Sequence, residues 1–188
     1  MIKTPGQLIT EYALQSEENL QIALAIMYSC FDDIKRKIIV DFLNKLEEEL
    51  KRSFPPPVWY IENCAKQNVF DIYSSFYLGK EKWGDICWIS FSAQQSRAKW
   101  FIIGIEKQLS SQSIGSLKAQ MDNQYGNGKT TEWWEWYQEI DGSYRDWDNE
   151  TTLLRLYQKE EAVQYFRSRL ERIVEIATPI IDAAVGDI

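Results

Sequence analysis

The sequence contains no histidine, and this absence excludes several kinds of functional site. Catalytic groups that depend on an imidazole base, and metal sites with histidine ligands, cannot form without it. There are only three cysteines, Cys30, Cys64 and Cys87, and no two of them form a C-x-x-C pair, so neither a disulfide framework nor a zinc ribbon is indicated. We therefore expect free thiols, no metal site and no cofactor.

Positive charge is also scarce. The chain has 21 Lys and Arg residues against 28 Asp and Glu residues, and its formal net charge of -7 disfavours direct binding to nucleic acid. The apolar stretch at residues 20–31 is too short to span a bilayer, and acidic rather than basic residues precede it. The sequence thus predicts a cytoplasmic protein without membrane association.

The first part of the chain has the spacing of helices. Thr4 and Pro5 form a typical helix start, and apolar residues from Ile34 to Leu50 recur at three- and four-residue intervals. The prolines at positions 55–57 cannot continue a helix. We expect two or three helices within residues 5–53.

An alternating pattern then replaces the helical one. Residues 85–92 and 99–106 are predicted strands, residues 69–78 a weaker third strand, and turn residues separate them at hairpin distances. Helical spacing returns at residues 163–177, before Pro179 kinks or ends the element. The fold class is therefore α+β, with N-terminal helices, an antiparallel sheet of three or more strands and C-terminal helices around one core. We expect a single domain, 1–188, made of a helical part (1–54), the sheet (58–107), a polar loop region with one short helix (108–130) and a Trp-rich acidic part with the C-terminal helices (131–188).

Acidic and aromatic residues are concentrated at residues 122–150, called here the acidic aromatic segment. It holds eight acidic residues against Lys129 and Arg145. One interpretation is that an aromatic helix face packs on the sheet, because helical spacing separates Trp133, Trp136 and Tyr137. The other is that indoles and phenols of this segment are exposed and serve as anchors for a partner protein. As a partner-binding set we predict the following residues of this segment: Trp134, Glu135, Glu139, Asp141, Tyr144, Arg145, Asp146, Trp147 and Asp148.

The same segment carries a family resemblance. The block Trp133-Trp134-Glu135-Trp136, then Tyr144-Arg145-Asp146-Trp147 and a leucine-bearing helix, resembles the C-terminal region of PD-(D/E)XK nuclease-superfamily proteins of bacterial defence and mobile elements. Catalysis in that superfamily needs an acid on one strand and a (D/E)-x-K on the next, which hold a divalent metal. This chain offers Asp85 and Glu106, but Lys107 follows Glu106 directly and would point to the opposite face of the strand. The resemblance therefore implies a recognition or accessory region without the cutting site.

These observations favour a non-catalytic interaction protein. Its acidic surface would bind a basic protein partner, such as a nuclease or toxin whose nucleic-acid groove it covers, in the manner of an immunity protein or antitoxin. One alternative is a degenerate metal-dependent nuclease assembled around Asp85 and Glu106, and another is a glycan-binding module that uses the indoles as sugar platforms. The oligomeric state is left open.

Overall fold

The computed structural model describes residues 3–84, 86–109 and 113–186. Contacts group the chain into two compact units, Met1–Ile38 and Ile39–Ile188. Helices at both ends of the chain and an antiparallel sheet between them confirm the α+β fold class. The single-domain organisation stays a prediction, and Asp85, named above for the nuclease alternative, lies outside the described residues.

The first unit is helical. Thr4 caps the first helix by a reciprocal pair of hydrogen bonds with Gln7, and Pro5 occupies the first helical position, where its missing N–H costs nothing. The helices predicted within residues 5–53 are confirmed. Their bounds are α1 Pro5–Ala13, α2 Glu17–Ala25, a π-helical turn Ile26–Cys30 and α3 Phe31–Ser53, whose later part belongs to the second unit.

The second unit is built on a five-stranded antiparallel sheet. Its strands follow one another in chain order from one edge to the other, as expected of a meander. The two central strands are the two strongest strand predictions, whereas the edge strands were not predicted as strands. The bounds are β1 Tyr60–Asn63, β2 Ser75–Gly79, β3 Cys87–Gln95, β4 Lys99–Lys107 and β5 Trp134–Glu139.

Helices cover one face of this sheet. Phe91 of β3 and Phe101 of β4 point to this face and pack against Trp147, and Phe91 also contacts Phe166, at ring-centroid distances of 4.0 to 6.1 Å. Phe42 in turn packs against Trp147 and Phe166, at 5.5 and 5.3 Å. No described helix combines the length and the apolar character needed to cross a bilayer. The remaining helices of this unit are α4 Leu117–Gln124, α5 Gly142–Arg145, α6 Glu150–Gln158 and α7 Glu160–Gly186.

Two expectations about the later part of the chain need correction. Pro179 does not end the last helix, because α7 continues through it to Gly186. The polar region 108–130 contains the expected short helix, α4, but the residues after it are held in place by pairing. The backbones of Lys129 and Tyr137 exchange hydrogen bonds of 2.8 and 2.9 Å, so this stretch lies along strand β5.

The opposite face of the sheet is polar along its middle. Ser90 and Ser92 of β3 pair with Gly104 and Ile102 of β4, and all four positions share this face because side chains alternate along a strand. Gly104 lets β5 approach: a Cβ at this position would lie 2.1 Å from the carbonyl oxygen of Trp136. The centre of this face therefore carries small side chains, and larger side chains surround it.

Candidate functional site

The polar face of the sheet carries an open groove of about 730 Å³, called here the sheet groove. It combines aromatic rings, three carboxylates and a few smaller polar groups, as in a typical ligand site. It lies entirely within the second unit. Its lining residues are Tyr73, Ser92, Gln94, Trp100, Ile102, Glu106, Thr131, Glu132, Trp133, Trp134, Tyr137 and Glu139.

Three aromatic side chains of the groove are exposed. Tyr73, Trp100 and Trp133 have 66%, 41% and 51% of their surface accessible. Tyr73 and Trp100 also have left-handed backbone conformations, with φ of 64° and 55°. Bulky residues rarely adopt this conformation, and where they do it is often retained for function. Two such residues beside one groove single it out as the strongest candidate site of the described chain.

Glu106 is the central carboxylate of the groove. It lies on β4 opposite Trp134 of β5 and accepts a hydrogen bond of 2.8 Å from Ser90 Oγ. Burial raises the pKa of Glu106, and the Ser90 hydrogen bond only partly offsets this effect. No cationic side chain of the described residues pairs with Glu106. A partly buried carboxylate without a counter-ion costs stability, and such groups are typical of sites that bind something.

Glu139, at another part of the groove, is already neutralised. Lys129 Nζ donates to one of its carboxylate oxygens at 2.7 Å and Arg145 Nη1 to the other at 2.8 Å. The hydrogen bond from Lys129 is the main reason why the pKa of Glu139 is lowered. The Arg145 guanidinium also stacks on the Trp100 indole, 4.3 Å from the ring centroid. This groove therefore already holds one guanidinium between an indole and a carboxylate, the arrangement that a basic ligand would use.

The aromatic members of the predicted partner-binding set are buried. Trp134 and Tyr144 are each 6% exposed and Trp147 is 1% exposed, so the expectation of exposed anchors at these positions is wrong. Trp147 stacks on Phe101 at 4.0 Å, and its indole N–H donates to the carbonyl oxygen of Tyr144 at 2.8 Å. These aromatic side chains are buried because large apolar groups are required to fill the space between the sheet and the helices that cover it.

The acidic members of the predicted set have local structural partners. Glu135 is buried and accepts a hydrogen bond from Ser113 Oγ at 3.2 Å. Asp141 caps α5 by accepting from the backbone N–H of Ser143. Asp146 accepts from the backbone N–H of Asp148, and the Asp148 carboxylate lies 2.9 Å from Lys99 Nζ. Of the nine residues, Trp134 and Glu139 line the sheet groove, and Arg145 reaches its rim through Trp100 and Glu139. The partner-binding role of the set stays a prediction.

The sequence interpretation missed Tyr73 and Trp100 and assigned Trp133 to a helix face. Trp133 precedes strand β5, and Trp136, which is fully buried, lies on that strand. Short aromatic runs fit a helical and an alternating pattern equally well, which explains the wrong helix assignment. The alternation of Trp100, Ile102, Gly104 and Glu106 along β4 is a sequence signal that places an aromatic residue and an acid on one face.

The described residues form no metal site that would support the nuclease alternative. No group of three or more Cys, Asp or Glu residues in the described parts of the chain is arranged to hold a metal ion. Two of the three free thiols are also poor nucleophiles near neutral pH, because burial raises the pKa of Cys64 to about 11 and that of Cys87 to about 12. Because Asp85 is outside the described residues, the pair of Asp85 and Glu106 stays a prediction.

The sheet groove is thus an aromatic and acidic groove on the sheet face opposite the helices of the second unit. Its chemistry suits a ligand that carries positive charge or presents a flat face to an indole. The resemblance to PD-(D/E)XK nuclease-superfamily proteins stays a prediction. No family model, no curated protein and no solved structure matches this chain.

Proposed function

We propose that this chain is a non-catalytic interaction protein that binds a basic segment of a partner protein in its sheet groove. A nuclease or toxin is the partner class that we favour, because the nucleic-acid surface of such a protein is rich in Lys and Arg. The role would be that of an immunity protein or antitoxin, exercised in the cytoplasm. The three free cysteines and the net charge of -7 support this assignment.

The observation that carries the proposal is the Glu106 carboxylate, which has no cationic partner among the described residues and lies in a groove that aromatic residues also line. Its only described hydrogen-bond donor is the neutral Ser90 hydroxyl, and its burial disfavours the charged form. A Lys or Arg side chain inserted from a partner would supply the missing counter-charge and stack on exposed indoles such as Trp133. Binding would thus remove a cost that the free protein carries.

The Arg145 contact gives the proposal a structural precedent. One guanidinium lies over Trp100 and bonds to Glu139 within the chain itself. The groove is therefore chemically able to hold a cation in this way. Glu106 and the exposed ring of Trp133 offer the same two kinds of group, a carboxylate and an indole, and no cation from the described parts of the chain pairs with either of them.

The test is to capture the partner, purify it and measure its affinity for wild-type and variant protein by titration calorimetry. Trp133→Ala and Glu106→Gln are expected to weaken binding at least about 10-fold each, and binding should weaken further as salt is added. Tyr157→Ala is the matched control, because Tyr157 is 66% exposed on α6 and does not line the groove. If the captured partner is a nuclease, the wild-type protein should inhibit it and the groove variants should inhibit it less.

Two results would contradict the proposal. One is a purified partner whose affinity is unchanged in both groove variants. The other is a partner with an acidic rather than a basic contact surface, because Glu106, Glu132 and Glu139 would repel it.

The exposed aromatic residues favour a second candidate function, the binding of a glycan. Tyr73, Trp100 and Trp133 surround a concave surface that also offers Gln94 and carboxylates, and indole faces stack well on sugar rings. A panel of oligosaccharides titrated against the purified protein would change its Trp fluorescence if this candidate is right, and Trp133→Ala should reduce that change. An unchanged spectrum with every sugar would count against it.

A further inference from the structure

The first unit, Met1–Ile38, leaves nearly all of its large apolar side chains exposed. In the described part of this unit only Ala13 and Lys35 are buried, whereas twelve large apolar residues are exposed. Tyr28 is the most extreme of them, with 79% of its surface accessible. Single exposed apolar residues are ordinary, but a cluster of this size indicates an interaction surface.

A unit of this size cannot bury these residues by itself. Domains below about 40 residues usually need a disulfide, a metal or an oligomeric partner to be stable. The apolar positions of α2 occur on more than one side of the helix, because Ile22 lies roughly opposite Leu20 and Leu24, and helices with such a pattern are normally buried. Another surface must therefore cover them.

The chemistry of the helices argues against a membrane as that surface. Amphipathic helices that lie on anionic membranes carry Lys and Arg on their polar face. Helices α1 and α2 contain no basic residue, while Glu11, Glu17 and Glu18 would repel anionic lipids. A highly charged partner is also disfavoured, because the unit has five acidic and four basic residues and so is close to neutral.

The available area matches what a stable dimer requires. Twelve apolar side chains, each about half exposed, offer on the order of 1,000 Å² per copy, and a standard interface buries about 800 Å² on each partner. A near-neutral apolar surface is compatible with its own copy, because self-association brings together no excess of like charge.

The π-helical turn Ile26–Cys30 lies within this apolar region. Such turns insert an extra residue into a helix and are frequent at functional sites. Met27 and Tyr28, both strongly exposed, lie in this turn. The irregular turn therefore contains the large apolar side chain that is most exposed among the described residues, Tyr28.

We propose that the chain self-associates through its first unit, with α1, α2 and the π-helical turn of two copies packed together as a helical bundle. Each copy then supplies the apolar cover that the other lacks. This inference is independent of the sheet groove, which lies in the second unit.

Sedimentation velocity of the full chain between about 1 and 100 µM tests this proposal. Wild-type protein is expected to be a dimer, and Leu24→Glu with Tyr28→Glu should raise the dissociation constant at least about 100-fold. Glutamate is a good helix former, so circular dichroism should show unchanged helix content. The matched control is Leu154→Glu with Tyr157→Glu on α6, whose side chains are comparably exposed and should leave the dimer intact.

Three outcomes would overturn the proposal. They are a wild-type monomer at the highest concentration, a dimer that survives the Leu24 and Tyr28 substitutions, and a dimer that the α6 control disrupts equally. If the double variant loses helix content, Tyr28→Ser provides the milder change, and it should still weaken the dimer measurably.

Discussion

Trp147 gives the sharpest test of whether the acidic aromatic segment is core or surface. The residue was predicted as a partner anchor, but it is fully buried beneath the sheet. Its indole stacks on Phe101 with centroids 4.0 Å apart and meets Phe42 edge-on at 5.5 Å. Substitution by alanine should therefore act on folding rather than on recognition.

The expected magnitude follows from these contacts. Replacing a buried Trp by Ala costs about 3 to 5 kcal/mol, and the ring pairing with Phe101 places Trp147 in the upper part of that range. The substitution also removes the indole N–H that donates to the Tyr144 carbonyl oxygen, which adds about 1 kcal/mol. We expect Trp147→Ala to lower the free energy of unfolding by about 5 to 6 kcal/mol, and Trp147→Phe by about 2 kcal/mol.

Urea denaturation followed by far-ultraviolet circular dichroism measures this loss, because that signal does not depend on the substituted indole. The control is Trp133→Ala, which removes a half-exposed indole and should change stability by less than about 0.5 kcal/mol. A loss of less than about 1 kcal/mol in Trp147→Ala, or an equal loss in both variants, would refute the assignment of Trp147 to the core.

Three further predictions concern stability. Burial raises the pKa of Glu106 above its ordinary 4.5, so the folded chain keeps this proton at a pH where the unfolded chain has lost it. The stability of the folded chain therefore falls as the pH rises through that range. Glu106→Gln should be more stable than wild type near neutral pH, and its denaturation midpoint should lose this part of the pH dependence. Although burial opposes ionisation of Asp182, hydrogen bonds lower its pKa below 3.8. Asp182→Asn should therefore lower the free energy of unfolding by about 1 to 2 kcal/mol near neutral pH. The difference from wild type should shrink as the pH falls below 3.8, which the same pH series of denaturation midpoints measures. Gly104→Ala would press a methyl group onto the Trp136 backbone and should cost about 3 kcal/mol or more in urea denaturation, whereas Gly142→Ala, with open space around it, should be nearly neutral.

The predicted elements that were confirmed have long, regular patterns. The stripe from Val163 to Ala177 repeats at helical spacing over several turns and is buried as expected. The stripe predicted from Ile34 to Leu50 is buried only from Ile39 onward, because Ile34 is 45% exposed. Strand β5 is different, because W-W-E-W-Y is too short to separate the two periods. Its partner is β4, which lies about 30 residues earlier in the chain, so the pairing that makes it a strand is a non-local fact.

The candidate site could be predicted only in part. Alternation along β4 places Trp100 and Glu106 on one face, and this could be read from the sequence. The exposure of Tyr73 and Trp133 could not be predicted from the sequence, because it depends on which aromatic rings pack against the helices in the core. The density of Trp and Tyr after residue 122 was thus a correct sign of an unusual region, but most of those rings stabilise the fold and only a few are available to a ligand.

Glu106 is the residue whose stability and binding roles should oppose each other. If it served only the fold, its replacement by Gln would leave recognition unchanged and the gain in stability would be its sole effect. If it binds a cation, the same substitution stabilises the free protein and weakens the complex, because the cost of the partly buried charge and the benefit of its counter-ion arise from one carboxylate. Opposite signs in the two measurements on one variant are therefore evidence for a binding site that neither measurement provides alone.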